Sequence, residues 1–130
     1  MAENRPSVSV IVPCFNCAST VEKTLDSLAA QTLKNIELVV INDGSTDNTL
    51  KVLQNWKDSH PNINMELYSK ENEGIAETRN FGVSKVTGEY FGFLDSDDYT
   101  APEMFEEMVD RKSTRLNSSH TTVSRMPSSA

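Results

Sequence analysis

Apolar residues along the chain come in short blocks whose period switches between two and about four. Residues 7–13 (Ser-Val-Ser-Val-Ile-Val-Pro) are β-branched and almost unbroken in apolar character, as expected of a central parallel strand, with Pro13 ending it. Ser19-Thr20-Val21-Glu22 then has the pattern of a capping box opening a helix that carries Leu25, Leu28 and Ala29 on its inner face and ends near Gln31. Residues 36–41 form a second buried strand. It stops at Asn42-Asp43-Gly44-Ser45-Thr46-Asp47, a run of turn and cap residues leading into a helix with Leu50, Leu53 and Trp56 on one stripe. After Pro61, residues 63–69 alternate as a third, more peripheral strand, Glu71-Asn72-Glu73-Gly74 is a loop, and residues 75–86 read as a helix with Gly82 inside it. Thr87-Gly88 turns the chain into a fourth apolar run, Tyr90 to Leu94, and Pro102 fits the first turn of a last helix from residue 101 to about 109. Strand and helix alternate four times with short connections. That order predicts an α/β, Rossmann-like domain: a mostly parallel sheet of about four strands with helices on both faces, joined by right-handed crossovers.

The pattern stops near Val109. From Asp110 on, 9 of 21 residues are Ser or Thr and no periodic apolar face remains, so residues 110–130 are expected to be a disordered tail outside a domain of residues 1–109. Back-translated, residues 110–120 resemble a sequencing-library adapter and residues 124–130 its far end. The tail therefore reads as non-native and the natural chain as continuing past Val109. On that expectation the edge of the fourth strand is left unpaired, a template for self-association.

Charge sharpens the division. Of the 12 basic and 19 acidic residues, residues 1–109 hold 8 and 18, so the body is strongly acidic and the tail net positive. An acidic body argues against nucleic acid or an anionic membrane as partner, because phosphate backbones and anionic headgroups need clustered cations. No apolar run approaches the roughly 18 residues of a membrane span, and the first residues lack a basic flank followed by an apolar segment, so a cytoplasmic protein is expected. Cys14 and Cys17 have redox-pair spacing, yet no second pair or nearby His completes a metal site, and two small semi-buried thiols is the simpler account.

The chemistry gathers at strand ends. The fourth strand runs into Asp95, Asp97 and Asp98, three carboxylates in four positions that repel one another unless a cation intervenes. Hard oxygen donors favour Mg or Mn, which bind one or two protein carboxylates and complete their shells with substrate phosphates. Ligands of open α/β sheets bind off the carboxyl ends of strands, so the loops Pro13-Cys14-Phe15-Asn16 and residues 42–47 converge on the same place if the strands are neighbours. There Asp43 is placed to accept a hydrogen bond from a base or sugar, or to cap the following helix. Gly44 allows close backbone approach, and Phe15 offers a flank for a planar ring. Arg79, one of two arginines in the body, either faces carboxylates or a diphosphate or lies on a helix surface.

Taken together, Val8-Ser9-Val10-Ile11-Val12-Pro13-Cys14-Phe15-Asn16, the Gln31-Thr32 pair, residues 40–47, Asn72-Glu73-Gly74-Ile75-Ala76 with Arg79-Asn80, and residues 88–98 resemble the nucleotide-binding half of family 2 glycosyltransferases, which have the GT-A fold. The resemblance covers about residues 6–109, with the motifs in order. It implies that Pro13, Phe15 and Asn16 line a nucleotide site, that Asp43 holds the base of a nucleoside-diphosphate sugar, usually uracil, and that Arg79 lies near the phosphates or braces the acidic loop. It also implies that Asp97 reaches ribose or metal, and that Asp98, or the Asp95 and Asp97 pair, holds Mg or Mn. The catalytic base and the region for an acceptor saccharide or lipid-linked saccharide are expected downstream of Val109, which would leave this chain able to bind a nucleotide but not to turn over, and would allow the whole protein to sit at the inner face of a membrane. Asn42-Asp43 stands where the family often has two Asp. Two other classes compete: a sugar-nucleotide nucleotidyltransferase, which would show a Gly-rich basic loop after the first strand, and a receiver-like Mg-binding module, which would show a Lys ending a later strand. Residues 13–20 hold no Gly, Lys or Arg.

Overall fold

The structure, a computed structural model, describes residues 8–106 and the backbone of residues 122–125. Its elements are β1 (Val8–Cys14), α1 (Val21–Ala29), β2 (Ile36–Asp43), α2 (Thr49–Ser59), β3 (Asn64–Lys70), α3 (Ile75–Val83), β4 (Tyr90–Phe93) and β5 (Thr122–Arg125). The sheet order is β3-β2-β1-β4-β5, with β1 to β4 all parallel and β5 antiparallel to β4. β1 pairs with β2 from Val8↔Ile36 to Cys14↔Asn42 and with β4 from Val8↔Tyr90 to Ile11↔Phe93. The predicted α/β, Rossmann-like class is the one observed.

Side-chain parity divides the core. Every residue of β1 and β2 is buried. Successive side chains of a strand point to opposite faces, so Val8, Val10, Val12, Leu38 and Val40 meet Val21, Leu25 and Leu28 of α1 and Leu53 and Trp56 of α2. The opposite parity, Ile11, Val39 and Ile41, packs under Phe81 and Val83 of α3. Two helices cover one face and one covers the other. Each fully buried Leu or Ile in this arrangement contributes about 1.5 to 3 kcal/mol. Ser9 and Glu37 share the α3 face, but their positions are satisfied: the Ser9 hydroxyl donates to Glu37 Oε1 at 2.7 Å, and Glu37 Oε1 also accepts from the Thr87 N–H at 3.1 Å.

Three expectations are corrected. The capping box does not form: α1 begins one residue later than the motif requires, with Thr20 at its N-cap and no side-chain cap bond, because the Thr20 hydroxyl is drawn to the carbonyls of Cys17 and Ser96. The α3 helix ends at Val83 rather than near Val86, where the Ser84 N–H closes back on Asn80 and Phe81. The edge of β4 is not open, and the tail is not wholly without structure, since residues 122–125 pair with β4 from Tyr90↔Arg125 to Phe93↔Thr122. An antiparallel partner needs only a backbone in extended form, which a Ser/Thr-rich segment supplies without an apolar face. The rest of residues 110–130 lies outside the described residues. So does the end of the last predicted helix, of which residues 104–106 are helical. Among the described residues no helix is long and apolar enough to cross a membrane.

The glycine inside α3 is explained by contact with the sheet. A Cβ on Gly82 would stand 2.5 Å from Ile11 Cγ2 and 3.1 Å from Ile41 Cδ1, both on buried side chains. Helix propensity alone would make Gly82→Ala stabilising by about 1 kcal/mol, whereas overpacking a core costs about 1 to 3 kcal/mol. Contact should win. Denaturant titration is expected to show Gly82→Ala less stable than the parent, and a gain in stability would mean that α3 stands off the sheet.

Candidate functional site

Four loops leave the carboxyl edge of the sheet. β1 stands where the chain changes direction across it, with β2 and β3 on one side and β4 on the other, the point at which open α/β sheets bind ligands. The β1 loop is held by its neighbour. Asn16 adopts φ 49°, a left-handed conformation that Asn tolerates better than most residues, and its Oδ1 accepts hydrogen bonds from the N–H groups of Thr46 (2.7 Å) and Asp47 (3.3 Å). The Asn16 N–H donates to Ser45 Oγ and the Cys17 N–H to Thr49 Oγ1, both at 2.9 Å. Phe15, between the end of β1 and these anchors, is 50% exposed.

Beside Phe15 is a cavity of about 170 Å³, bounded by Pro13, Cys14, Asp43, Asn72, Gly74 and Thr78. Asp43 is 4% exposed and densely bonded: Oδ1 accepts from Lys70 Nζ (3.1 Å) and the Glu73 N–H (3.0 Å), and Oδ2 accepts from the Gly74 N–H (3.1 Å). Burial pushes its carboxyl up, but the hydrogen bonds from Glu73, Lys70 and Thr78 and the Lys70 charge outweigh it, and the net shift is downward. Asp43 therefore caps neither helix: its carboxylate holds the backbone of Glu73 and Gly74, just ahead of α3, which starts with no side-chain cap bond. The start of α2 is served by Asp47, whose Oδ1 accepts from the Thr49 N–H at 3.0 Å. Gly44 (φ 66°) does permit a close approach, and the group that approaches is Asn72: a Cβ there would lie 2.5 Å from its backbone nitrogen. Both thiols are free, and they are buried rather than semi-buried. A hydrogen bond to Cys17, then burial and the Cys17 charge, push the Cys14 thiol well up, while the same bond, with help from Ser96 and Thr49, brings Cys17 down to about 7.

A wider cleft of about 570 Å³ continues from Pro13 and Phe15 past Asn16 and Thr20 to Arg79, Asp95 and Asp97. Arg79 donates from Nη2 to Asp95 Oδ1 at 3.3 Å and lies over the Phe93 ring at 5.4 Å, so it braces the acidic loop and is not a bare surface residue. Half-exposed as both partners are, this ion pair is weak. The Asp98 N–H closes a turn on the Asp95 carbonyl at 3.0 Å, and Asp95, Asp97 and Asp98 each offer an oxygen within 4.8 Å of the others. Three hard oxygen donors so close together fit a Mg or Mn ion. Arg79 is the one cation among the described residues that line the cleft. At the opposite edge, a third cavity of about 100 Å³ between Leu28, Leu33, Ile36 and Ile63 holds no ionisable group besides Lys34.

Thus Pro13, Phe15, Asn16, Asp43, Arg79, Asp95 and Asp97, proposed from the sequence, share one continuous hollow, with Asp98 joined to it through the carboxylate cluster. Sequence reasoning gave no role to Lys70, Gly74 or Thr78. The strand-end rule applied to β3, as it was to its neighbours, would have found the loop that carries the first two.

Comparison with known proteins agrees with the geometry. The family model described as Glycosyl transferase family 2 matches residues 9–119. The chain belongs to that family. Among curated relatives, the chondroitin synthase of Pasteurella multocida (strain Pm70) is 43% identical over 101 residues, which are 78% of this chain and 10% of that protein. Among solved structures, S. aureus TarS 1-349 in complex with UDP superposes with TM-score 0.73 at 32% identity, over 80% of this chain and 31% of the other. The mannosyltransferase PcManGT from Pyrobaculum calidifontis, in complex with GDP-Man and Mn2+, does so with TM-score 0.68 at 34% identity, over 73% and 28%. This family 2 chain spans about a tenth of the length of that curated relative and less than a third of each solved chain. Family membership also favours the glycosyltransferase class over the nucleotidyltransferase and receiver-like classes.

The bonding of Asp43 yields a prediction with a sign. Asp43→Asn removes the charge from three hydrogen bonds and should cost about 1 to 3 kcal/mol of stability at neutral pH. Because the folded carboxyl titrates below its unfolded value of about 3.9, the parent's advantage is full above that pH and is lost as pH falls through the lower folded value. Thermal melts of both proteins from pH 7 to pH 3 should converge at the acid end. Parallel curves would mean that the charge of Asp43 does not support the fold.

Proposed function

We propose that this family 2 chain binds a nucleoside-diphosphate sugar, most readily a UDP-sugar, through a divalent cation, as the donor half of an enzyme that transfers the sugar to an acceptor hydroxyl with inversion. One observation carries the reading: a small cavity ending in an ionised carboxylate opens into a wide cleft ending in three more. An ionised carboxylate only accepts hydrogen bonds, so Asp43 suits a base with an N–H on its pairing edge, as uracil has. Pro13 and Phe15 bound the plane in which that base would lie. Asn16 belongs to the same wall.

Beyond the cavity, a diphosphate would face Asp95 and Asp97 with Arg79 the one cation among the described cleft residues to offset their charge. Asp95, Asp97 and Asp98 would hold Mg or Mn, which when bound supplies Lewis-acid neutralisation of the diphosphate leaving group. Arg79 would then be free to share its guanidinium between Asp95 and a phosphate oxygen. The UDP complex of TarS and the GDP-Man and Mn2+ complex of PcManGT support this assignment by analogy. No residue among those described is assigned the role of base toward the acceptor, so residues 1–130 are expected to bind donor without turnover. The acceptor is proposed to be a saccharide or lipid-linked saccharide met by the whole protein, in the cytoplasm or at the inner face of a membrane.

Calorimetric titration of UDP into the chain tests this. Binding is expected with Mn or Mg present and should fall at least tenfold in excess chelator, and Asp97→Asn should reproduce most of that loss with the cation present. Equal affinity with and without the cation would overturn the metal-bridged reading.

A further inference from the structure

One stripe of α1 is polar where it meets the rest of the protein. Thr24 and Ser27 lie on one side of the helix beside the apolar stripe of Val21, Leu25 and Leu28, and the N-cap Thr20 and Gln31, two residues past the last turn, continue their spacing of four, three and four. Thr24 is fully buried and Gln31 is 1% exposed. A threonine inside a helix ordinarily returns its hydroxyl to a carbonyl of its own preceding turn. Thr24 instead points it at the carbonyls of Ser96 (2.9 Å) and Asp98 in the acidic turn. Thr20 Oγ1 also reaches Ser96 O, at 3.1 Å. Further along, Ser27 Oγ accepts from the Thr100 N–H at 3.2 Å, and Gln31 donates from Nε2 to the Ala101 carbonyl at 2.6 Å while its Oε1 accepts from the Phe105 N–H at 3.1 Å. The segment after β4 is thus laid along α1 residue by residue.

We propose that Thr24 is a positioning residue for the cation site: by holding the carbonyls of Ser96 and Asp98 on either side of Asp97, it keeps the three carboxylates at the spacing a divalent ion requires. The inference rests on the metal-bridged reading above. Asp95, Asp97 and Asp98 repel one another, and a turn free to relax would spread them. The turn's own backbone bond, Asp98 N–H to Asp95 O, fixes only its ends. Thr24, fully buried, reaches Ser96 in the middle of the turn as well as the carbonyl of Asp98. Repulsion held in the folded turn is relieved when a cation arrives, so losing the clamp should weaken cation binding more than it weakens the fold.

The test measures Mn2+ binding to the 130-residue chain by loss of the free-ion electron paramagnetic resonance signal, with and without UDP, alongside thermal melts. Thr24→Val keeps the shape and removes the proton. It is expected to weaken Mn2+ binding five- to tenfold while the protein remains folded, and Thr24→Ser, which keeps the hydroxyl, should stay within twofold of the parent. Thr20→Ala, on the exposed end of the stripe, should weaken it two- to threefold and decides the matter if Thr24→Val does not fold. Parental Mn2+ affinity in the variant that decides, or failure of Thr24→Ser to restore it, overturns the proposal. A parent chain that binds no Mn2+ even with UDP overturns the metal-bridged reading itself, and this inference with it, and that outcome is visible before any variant is made.

Discussion

A parallel sheet covered on both faces has room for polar chemistry only where its strands end. β1 and β2 are buried at every position, and apart from Asn42 and Asp43 at the carboxyl end of β2 their polar side chains, Ser9 and Glu37, are tied to each other. Charged groups are therefore driven to the strand termini. Because β1 to β4 all point the same way, their carboxyl ends deliver those groups to one edge, and the change of direction at β1 leaves a crevice there to receive a ligand. The site is a consequence of the sheet's direction before it is a consequence of any one residue.

Within that edge, two acidic stations are stabilised differently. Asp43 is surrounded by protein donors and carries its charge inside the fold, so its orientation is settled by folding. In the Asp95, Asp97 and Asp98 cluster, Asp95 is paired with a half-exposed arginine, and the three carboxylates stand within reach of a single ion. A fixed acceptor beside a carboxylate cluster that can share a cation suits a ligand that is neutral and planar at one end and polyanionic at the other.

The sequence made the fold legible because local signals agreed with one another: β-branched runs stopped by Pro13 or by Asn42-Asp43-Gly44, and helices with clear apolar stripes. It made the site legible through the strand-end rule and the resemblance, which needed only the positions of strand ends. What it hid were partnerships between distant residues. Nothing local distinguishes Asp43 as the acceptor for the backbone ahead of α3, thirty residues on, from a cap of the helix that follows it. Thr24 and Gln31 looked like ordinary polar positions of an amphipathic helix, since hydrogen bonds over some seventy residues leave no periodic trace. The Ser19 capping box failed for a related reason: Thr20, the residue that became the cap, had a better acceptor in Ser96. The pairing of residues 122–125 with β4 was illegible because backbone alone makes it.

The left-handed turn at Asn16 has a bearing on how a ligand would be met. Its side-chain oxygen gathers the backbone of Thr46 and Asp47, and its own N–H returns to Ser45, so the loops after β1 and β2 behave as a single wall. Phe15 stands on that wall with its backbone immobilised at both sides and its ring in solvent. A ring prepared in this way has little freedom left to surrender when a flat partner settles against it, and the entropy of ordering is met once, at folding, instead of at every encounter. Such a surface should exchange partners quickly and leave selectivity to the groups at its rim.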